Sequence, residues 1–149
     1  MKLDKDEYII LEIIPTKMND GDIVELTALK INGLKLVDRF NYRLNKDKIM
    51  IKEFLDMCSY DDDKFNYCDE SKDIINAFKD WAGDLPLVGI DNTYTANYLK
   101  DFDNKLEVVF PYLDMEIDSD VIQNMINKYK LEESNYLVDL VYEAIIRHF

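Results

Sequence analysis

The first third of the chain carries the apolar and polar pattern of β-strands. A short, β-branched run at 7–14 (EYIILEII) is typical of a buried strand. The segments at 22–31 (DIVELTALKI) and 34–44 (LKLVDRFNYRL) alternate between apolar and polar residues, as half-buried strands do. Asn32-Gly33 lies between them and is a strong signal for a two-residue hairpin turn. We therefore predict three antiparallel strands at the start of the fold.

The rest of the chain favours helices around two further strands. Apolar residues at helical spacing, with Ser and Gly as boundary signals, predict helices at 48–58, from Ser71 to Gly83, after the cap Ser119, and from Ser134 to Arg147. Apolar runs predict strands at 87–90, which leads into a helix ending near Phe102, and at 105–113. The order βββ-α-α-β-α-β-α-α predicts a single α/β domain over residues 1–149. Its mixed sheet carries three antiparallel N-terminal strands, and helices cover both faces.

Composition narrows the class of protein. The chain has 149 residues, with 18 Lys and Arg against 31 Asp and Glu and a formal charge of −13. Tight, non-specific nucleic-acid binding depends on basic side chains, so this balance disfavours it, and the charge is expected to serve solubility. No apolar stretch is long enough to cross a membrane, and the N-terminal sequence lacks signal-peptide features. We therefore expect a cytoplasmic protein without membrane contact.

The middle of the chain holds the candidates for metal binding by local sequence. The acidic segment at 59–71 predicts a solvated loop, and a cation site at Asp61–Asp63 is the alternative. Cys58 and Cys68 are ten residues apart, and the single histidine is His148. A zinc site needs more ligands at closer spacing, so we expect free thiols.

Two carboxylates lie in apolar surroundings. Glu12 is inside the first predicted strand, and Asp139 is on the last predicted helix, with Glu143 one turn later. A buried charge is costly unless it is paired, protonated or bound to a metal. Each acid is therefore either a satisfied structural carboxylate or a ligand, and the residue pattern leaves both alternatives open.

Four segments together resemble one known family. Residues 12–16 (EIIPT) stand where that family has Asp-x-Glu followed by Thr-Thr-Gly, and the hairpin at 22–44 carries Glu25 at a matching position. The segment 84–99 (DLPLVGIDNTYTANYL) resembles LVGHNxxFDxxFL, and 133–144 (ESNYLVDLVYEA) resembles the closing HxAxxDA helix. Over nearly its whole length the chain resembles the DEDD-type 3′–5′ exonucleases, the proofreading and RNA-trimming branch of the ribonuclease H-like fold.

The resemblance also implies which residues would carry the chemistry. Four carboxylates hold two divalent metals that activate water and stabilise the charge on the scissile phosphate, and a His or Tyr helps to deprotonate the water. The four acid positions correspond to Glu12, Ile14, Thr95 and Asp139, and the base position to Ser134. Only Asp139 is unchanged, and Glu12 is a lengthened acid. We therefore expect a degenerate site, with Glu12 and Asp139 as residual metal positions.

This pattern favours a non-hydrolytic protein-binding or regulatory module, with a protein partner and no cofactor. One alternative is a divergent exonuclease that uses Mg²⁺ or Mn²⁺ on single-stranded ends, which requires rescue by other acids such as Asp91, Asp114 or Glu143. Another alternative is an acidic mimic of nucleic acid. Nucleic-acid binding, where it remains, is expected to be weak.

Overall fold

The computed structural model describes residues 1–15, 23–45, 64–90, 92–134 and 136–149, without the side chains of 92–94. The helix predicted at 48–58 and the cation site considered at Asp61–Asp63 lie outside these residues. Cys68 has a free thiol, as predicted, and Cys58 is outside the described part.

A six-stranded mixed sheet forms the centre of the described structure, in the order β4-β3-β2-β1-β5-β6. The strands are β1 (Glu7–Pro15), β2 (Ile23–Asn32), β3 (Lys35–Leu44), β4 (Asn66–Cys68), β5 (Leu87–Gly89) and β6 (Leu106–Val108). The first three are antiparallel neighbours, which confirms the prediction from their alternating pattern. The three short strands run parallel to their inner neighbours and extend the sheet at both edges.

The helices lie on the two faces of this sheet. They are α1 (Ser71–Ala82), α2 (Asn92–Tyr98), a 3₁₀ helix (Phe110–Leu113), α3 (Val121–Tyr129) and α4 (Leu137–His148). In the described part of the chain, no helix has the length and apolar character that a membrane crossing requires.

The helix boundaries agree with the sequence in part. Helix α1 ends as predicted, because Gly83 has a positive φ of 57° and its N–H donates to the Lys79 carbonyl. The predicted cap Ser119 is wrong: Asp120 is the N-cap of α3, and its own N–H donates to the Asp118 carboxylate at 2.8 Å. Ser119 therefore lies in a turn ahead of the helix.

Three further segments differ from the prediction. Helix α2 stops at Tyr98, and the Phe102 N–H closes a short turn on the Leu99 carbonyl instead of extending the helix. The strand predicted at 105–113 is confined to β6, since Pro111 offers no N–H to a ladder and lies in the 3₁₀ helix. Part of the expected loop at 59–71 is β4, which pairs with the end of β3.

The hairpin between β2 and β3 turns where the sequence predicts. Asn32 pairs with Lys35, so Gly33 and Leu34 are the two turn residues. Gly33 has a φ of 63°, and a Cβ there would lie 3.1 Å from the Asp4 carbonyl oxygen. The turn therefore requires glycine both for its backbone conformation and for the close approach of the N-terminal segment.

The two faces of the sheet bury separate apolar clusters. Alternation along β1 sends Tyr8 and Ile10 towards α3 and α4, whereas Ile9, Leu11 and Ile13 point towards α1. The α4 face stays apolar over most of its length. Its exceptions lie at one end of β1, and they form the candidate site.

Candidate functional site

Polar side chains replace apolar ones on the α4 face of the sheet near the end of β1. They occupy two neighbouring rows that cross the three long strands. We call this group the polar strip; in one row it contains Glu12, Thr27 and Asn41, and in the next Glu25 and Arg43. Ile14 occupies the β1 position of the second row. Since Thr27, Asn41, Glu25 and Arg43 are all buried, the strip is a polar element of the interior.

Glu12 is half-buried on β1, and its carboxylate has no ion pair or hydrogen bond with the residues that the structure describes. Burial raises the pKa of Glu12 from 4.5 to about 7, and the charge of Glu25 adds to this shift. The direction is the one that the apolar surroundings of Glu12 predict. Near neutral pH this side chain is therefore divided between its neutral and charged forms.

Glu25 and Arg43 form a buried ion pair next to Glu12. Nε and Nη2 of Arg43 donate to Oε1 of Glu25 at 3.0 and 2.5 Å. Arg43 is only 1% exposed, and its guanidinium lies 3.8 Å from the centre of the Phe65 ring. Burial raises the pKa of Glu25, while the hydrogen bond from Arg43 opposes that rise. Arg43 was not predicted as a site residue, because alternation in β3 places it on the polar face of the strand, opposite the apolar Phe40 and Leu44.

Asp139 lies in the first turn of α4, at the exposed edge of the site. Nη2 and Nη1 of Arg39 donate to its two carboxylate oxygens, at 2.5 and 3.3 Å. The Arg39 guanidinium also lies 5.9 Å from the centre of the Tyr136 ring. Asp139 is thus a paired structural carboxylate in this structure. Arg39 was not predicted, because its partner is 100 residues away in the sequence.

The other family-matched positions contribute no charge. Ile14 lies beside Glu25 in the sheet, and Thr95 is buried in α2, a helix that contacts β1. Ser134 is exposed, and its Oγ accepts a hydrogen bond from the Tyr136 N–H at 3.3 Å.

The acids considered for rescue do not complete a metal site in the described structure. Asp114 lies near the other end of α4, with its carboxylate 3.7 Å from Nε2 of His148, and Glu143 is exposed. Asp91 lies outside the described residues. Within the described ranges, no group of three or more His, Cys, Asp and Glu side chains is placed to hold one metal ion.

A cleft of about 490 Å³ opens between β3 and the start of α4. It is lined by Arg39, Asn41, Lys64, Glu133, Ser134, Tyr136 and Asp139. The positive charges of Arg39 and Lys64 balance the negative charges of Glu133 and Asp139. Asn41 donates through Nδ2 to the Lys64 carbonyl at 3.3 Å, whereas its buried Oδ1 has no hydrogen-bond donor among the described residues. The cleft therefore offers an unused acceptor at a nearly buried position.

The sheet topology identifies the fold. A mixed sheet with three antiparallel N-terminal strands, parallel strands beyond them and helices on both faces is the ribonuclease H-like fold of the DEDD-type 3′–5′ exonucleases. The chain is similar to exonuclease I, in its crystal structure with the inhibitor BCBP, with a TM-score of 0.54 and 10% sequence identity. The match covers 96% of this chain and 40% of exonuclease I.

Sequence comparison gives more specific relatives. The chain is 24% identical over 99 residues to the PolC-type DNA polymerase III of Bacillus subtilis (strain 168), and 27% identical over 97 residues to that of Oceanobacillus iheyensis. These matches cover 65% and 64% of this chain but only 7% of each polymerase. No protein-family model matches the chain. The chain is a distant homologue of the exonuclease region of PolC.

The described residues do not fit the pair of divalent metal ions that this fold family implies. Hard cations such as Mg²⁺ require several oxygen ligands in a near-ideal geometry. Ile14 supplies no oxygen, and both oxygens of Asp139 already accept hydrogen bonds from Arg39.

Proposed function

We propose that this chain is a catalytically degenerate 3′–5′ exonuclease-like domain that binds a protein partner and does not hydrolyse nucleic acid. The observation that carries the proposal is the pairing of Asp139, the one unchanged acid of the family pattern, with Arg39. A carboxylate that accepts a guanidinium N–H at each oxygen has fewer lone pairs for a catalytic metal ion, and the positive guanidinium repels the ion.

The other matched positions support the loss of hydrolysis. Two-metal cleavage of a phosphodiester requires several acids that hold both ions, and a base that activates water. Ile14 and Thr95 replace two of the acids, and Ser134 replaces the base. A serine hydroxyl has no basic nitrogen, and the one at Ser134 already accepts a backbone N–H.

The charge of the chain supports a protein partner over nucleic acid. At −13 the chain repels a polyphosphate backbone at long range. The cleft between β3 and α4 contains one acidic side chain for each basic one, so it offers no excess of positive charge to phosphates. Its free acceptor, Asn41 Oδ1, suits a donor such as a peptide N–H.

A nuclease assay and a binding assay test the proposal together. The purified chain is incubated with 5′-labelled single-stranded DNA and RNA in Mg²⁺ or Mn²⁺, and we expect no shortening. Fluorescence anisotropy with the same oligonucleotides at physiological salt should show no binding tighter than about 10⁻⁴ M, the weak end of non-specific affinities.

The control is Asp139→Asn, prepared in the same way. Metal-dependent shortening that is lost in Asp139→Asn would contradict the proposal and favour the divergent exonuclease. Tight oligonucleotide binding without shortening would instead indicate a nucleic-acid-binding role.

A further inference from the structure

Two arginines reach the α4 face from the same strand. Arg39 and Arg43 lie four residues apart on β3, on either side of Asn41, so the alternation of the strand points all three the same way. Each arginine is paired with a different acid of the site, Asp139 or Glu25. Both positive charges at this end of the sheet therefore belong to side chains of β3.

The inner pair places a permanent cation in the interior. An arginine side chain does not lose its proton in proteins, so Arg43 stays charged at every pH at which the fold exists. It balances the charge of Glu25, which lies in the row of the sheet next to Glu12, where two charged carboxylates would repel each other. In a metal-dependent site, a divalent ion would reduce such repulsion between carboxylates. In this chain the Arg43 guanidinium balances the charge of Glu25, one of the two carboxylates.

The outer pair occupies the coordination positions of Asp139. A guanidinium presents two parallel N–H groups that match the two oxygens of a carboxylate. Arg39 makes this two-point contact, and the Tyr136 ring lies beside its guanidinium. With Arg39 in place, a metal ion at Asp139 would meet the positive charge of the guanidinium and fewer free lone pairs.

We infer that Arg39 and Arg43 have replaced the divalent metal ions as the cations of this site, and that Arg39 actively excludes metal from Asp139. The inference rests on the proposed loss of hydrolysis and deepens it, because it names the groups that keep the site free of metal. It also means that the fold does not require a divalent cation.

Mn²⁺ titration of ¹⁵N-labelled protein tests the inference, because bound Mn²⁺ broadens the signals of nearby amides. The proteins are the unmodified chain, Arg39→Gln and Arg39→Lys. Without Arg39 the cleft keeps the carboxylates of Asp139 and Glu133. We expect Arg39→Gln to broaden the Asp139 amide at a Mn²⁺ concentration at least ten times lower than the unmodified chain requires. Arg39→Lys, which keeps a cation, should stay close to the unmodified chain.

Two controls make the result specific. Arg147→Gln removes an exposed arginine that binds backbone carbonyls of Tyr129 and Lys130, and it should behave like the unmodified chain. The amide of Asp84, an exposed acid outside the cleft, gives the non-specific level of broadening.

The inference is overturned if Arg39→Gln and the unmodified chain respond alike, whether both bind Mn²⁺ or neither does. It is also overturned if the unmodified chain shows selective broadening at Asp139 at the concentration expected for Arg39→Gln. The nuclease assay on the same samples separates the two proposals. Shortening by the unmodified chain contradicts the proposed function. Selective Mn²⁺ binding at Asp139 of the unmodified chain, without shortening, contradicts only the role of Arg39.

Discussion

Arg39 and Asp139 lie 100 residues apart in the sequence, and their side chains meet in a two-point ion pair between β3 and α4. The pair joins β3, which borders the cleft, to the first turn of α4. It sits at the surface, with side-chain exposures of 36% and 25%. Its position therefore suits control of access to Asp139 better than stabilisation of the fold.

The exposure of this pair leads to a first prediction. Exposed ion pairs contribute little to stability, so a double-mutant cycle of Arg39→Gln and Asp139→Asn should give a coupling energy below about 1 kcal/mol. Urea unfolding of the four proteins at pH 7 measures it. A coupling above about 2 kcal/mol, outside the range of exposed pairs, would show that the contact has a major structural role.

The buried pair should behave differently. Arg43→Met leaves the Glu25 carboxylate buried without its partner, and we expect a loss of about 3–5 kcal/mol in the free energy of unfolding. Replacing both residues, by Arg43→Met with Glu25→Leu, removes the unpaired charge and should recover most of that loss. Denaturant unfolding of the two single variants and the double variant distinguishes this outcome from simple additivity, which would contradict it.

The strands and their hairpin could be predicted because their signals are local. Alternation fixes which side chains of β2 and β3 share a face, and Asn32-Gly33 marks the turn. The short strand β4 could not be predicted in the same way. Its three residues form a strand through pairing with β3, and this depends on chain neighbours brought together by the fold.

The residues of the candidate site could likewise be predicted only where the signal is local. Glu12 and Asp139 could be proposed from the resemblance to the exonucleases, because each position is matched by a motif within a short segment. Arg39 and Arg43 were missed, because a charged residue in an alternating strand looks solvent-facing until the opposite face is known to be polar. Only the packing of α4 on the sheet shows that these arginines meet acids.

The two glycines with positive φ give a matched pair for a third prediction. Gly33→Ala and Gly83→Ala both force alanine to a positive φ, which L side chains rarely adopt. Open space surrounds a Cβ at Gly83, whereas a Cβ at Gly33 lies 3.1 Å from the Asp4 carbonyl oxygen. We therefore expect Gly33→Ala to lower the melting temperature more than Gly83→Ala does. Equal shifts would show that the N-terminal segment yields at little cost.

The last prediction uses the pKa of Glu12. Folding raises this pKa from 4.5 to about 7, so the folded state binds a proton more tightly than the unfolded state. Below pH 4.5 both states hold the proton, and Glu12 carries no penalty. As the pH rises towards 7, the unfolded state releases the proton first, and stability falls until the folded state has released it as well. Above that range the penalty is constant.

Glu12→Gln removes this proton equilibrium while keeping the shape of the side chain. One pKa unit corresponds to about 1.4 kcal/mol, so with partial exposure we expect the variant to be more stable by about 2 kcal/mol at pH 8. The gain should disappear near pH 4.5. Urea unfolding at both pH values measures it, and Glu143→Gln, at an exposed position on α4, is the control. A variant that is less stable than the unmodified chain at pH 8 would mean that the charged form of Glu12 has a strong partner, since loss of that partner would then outweigh the relief of burial.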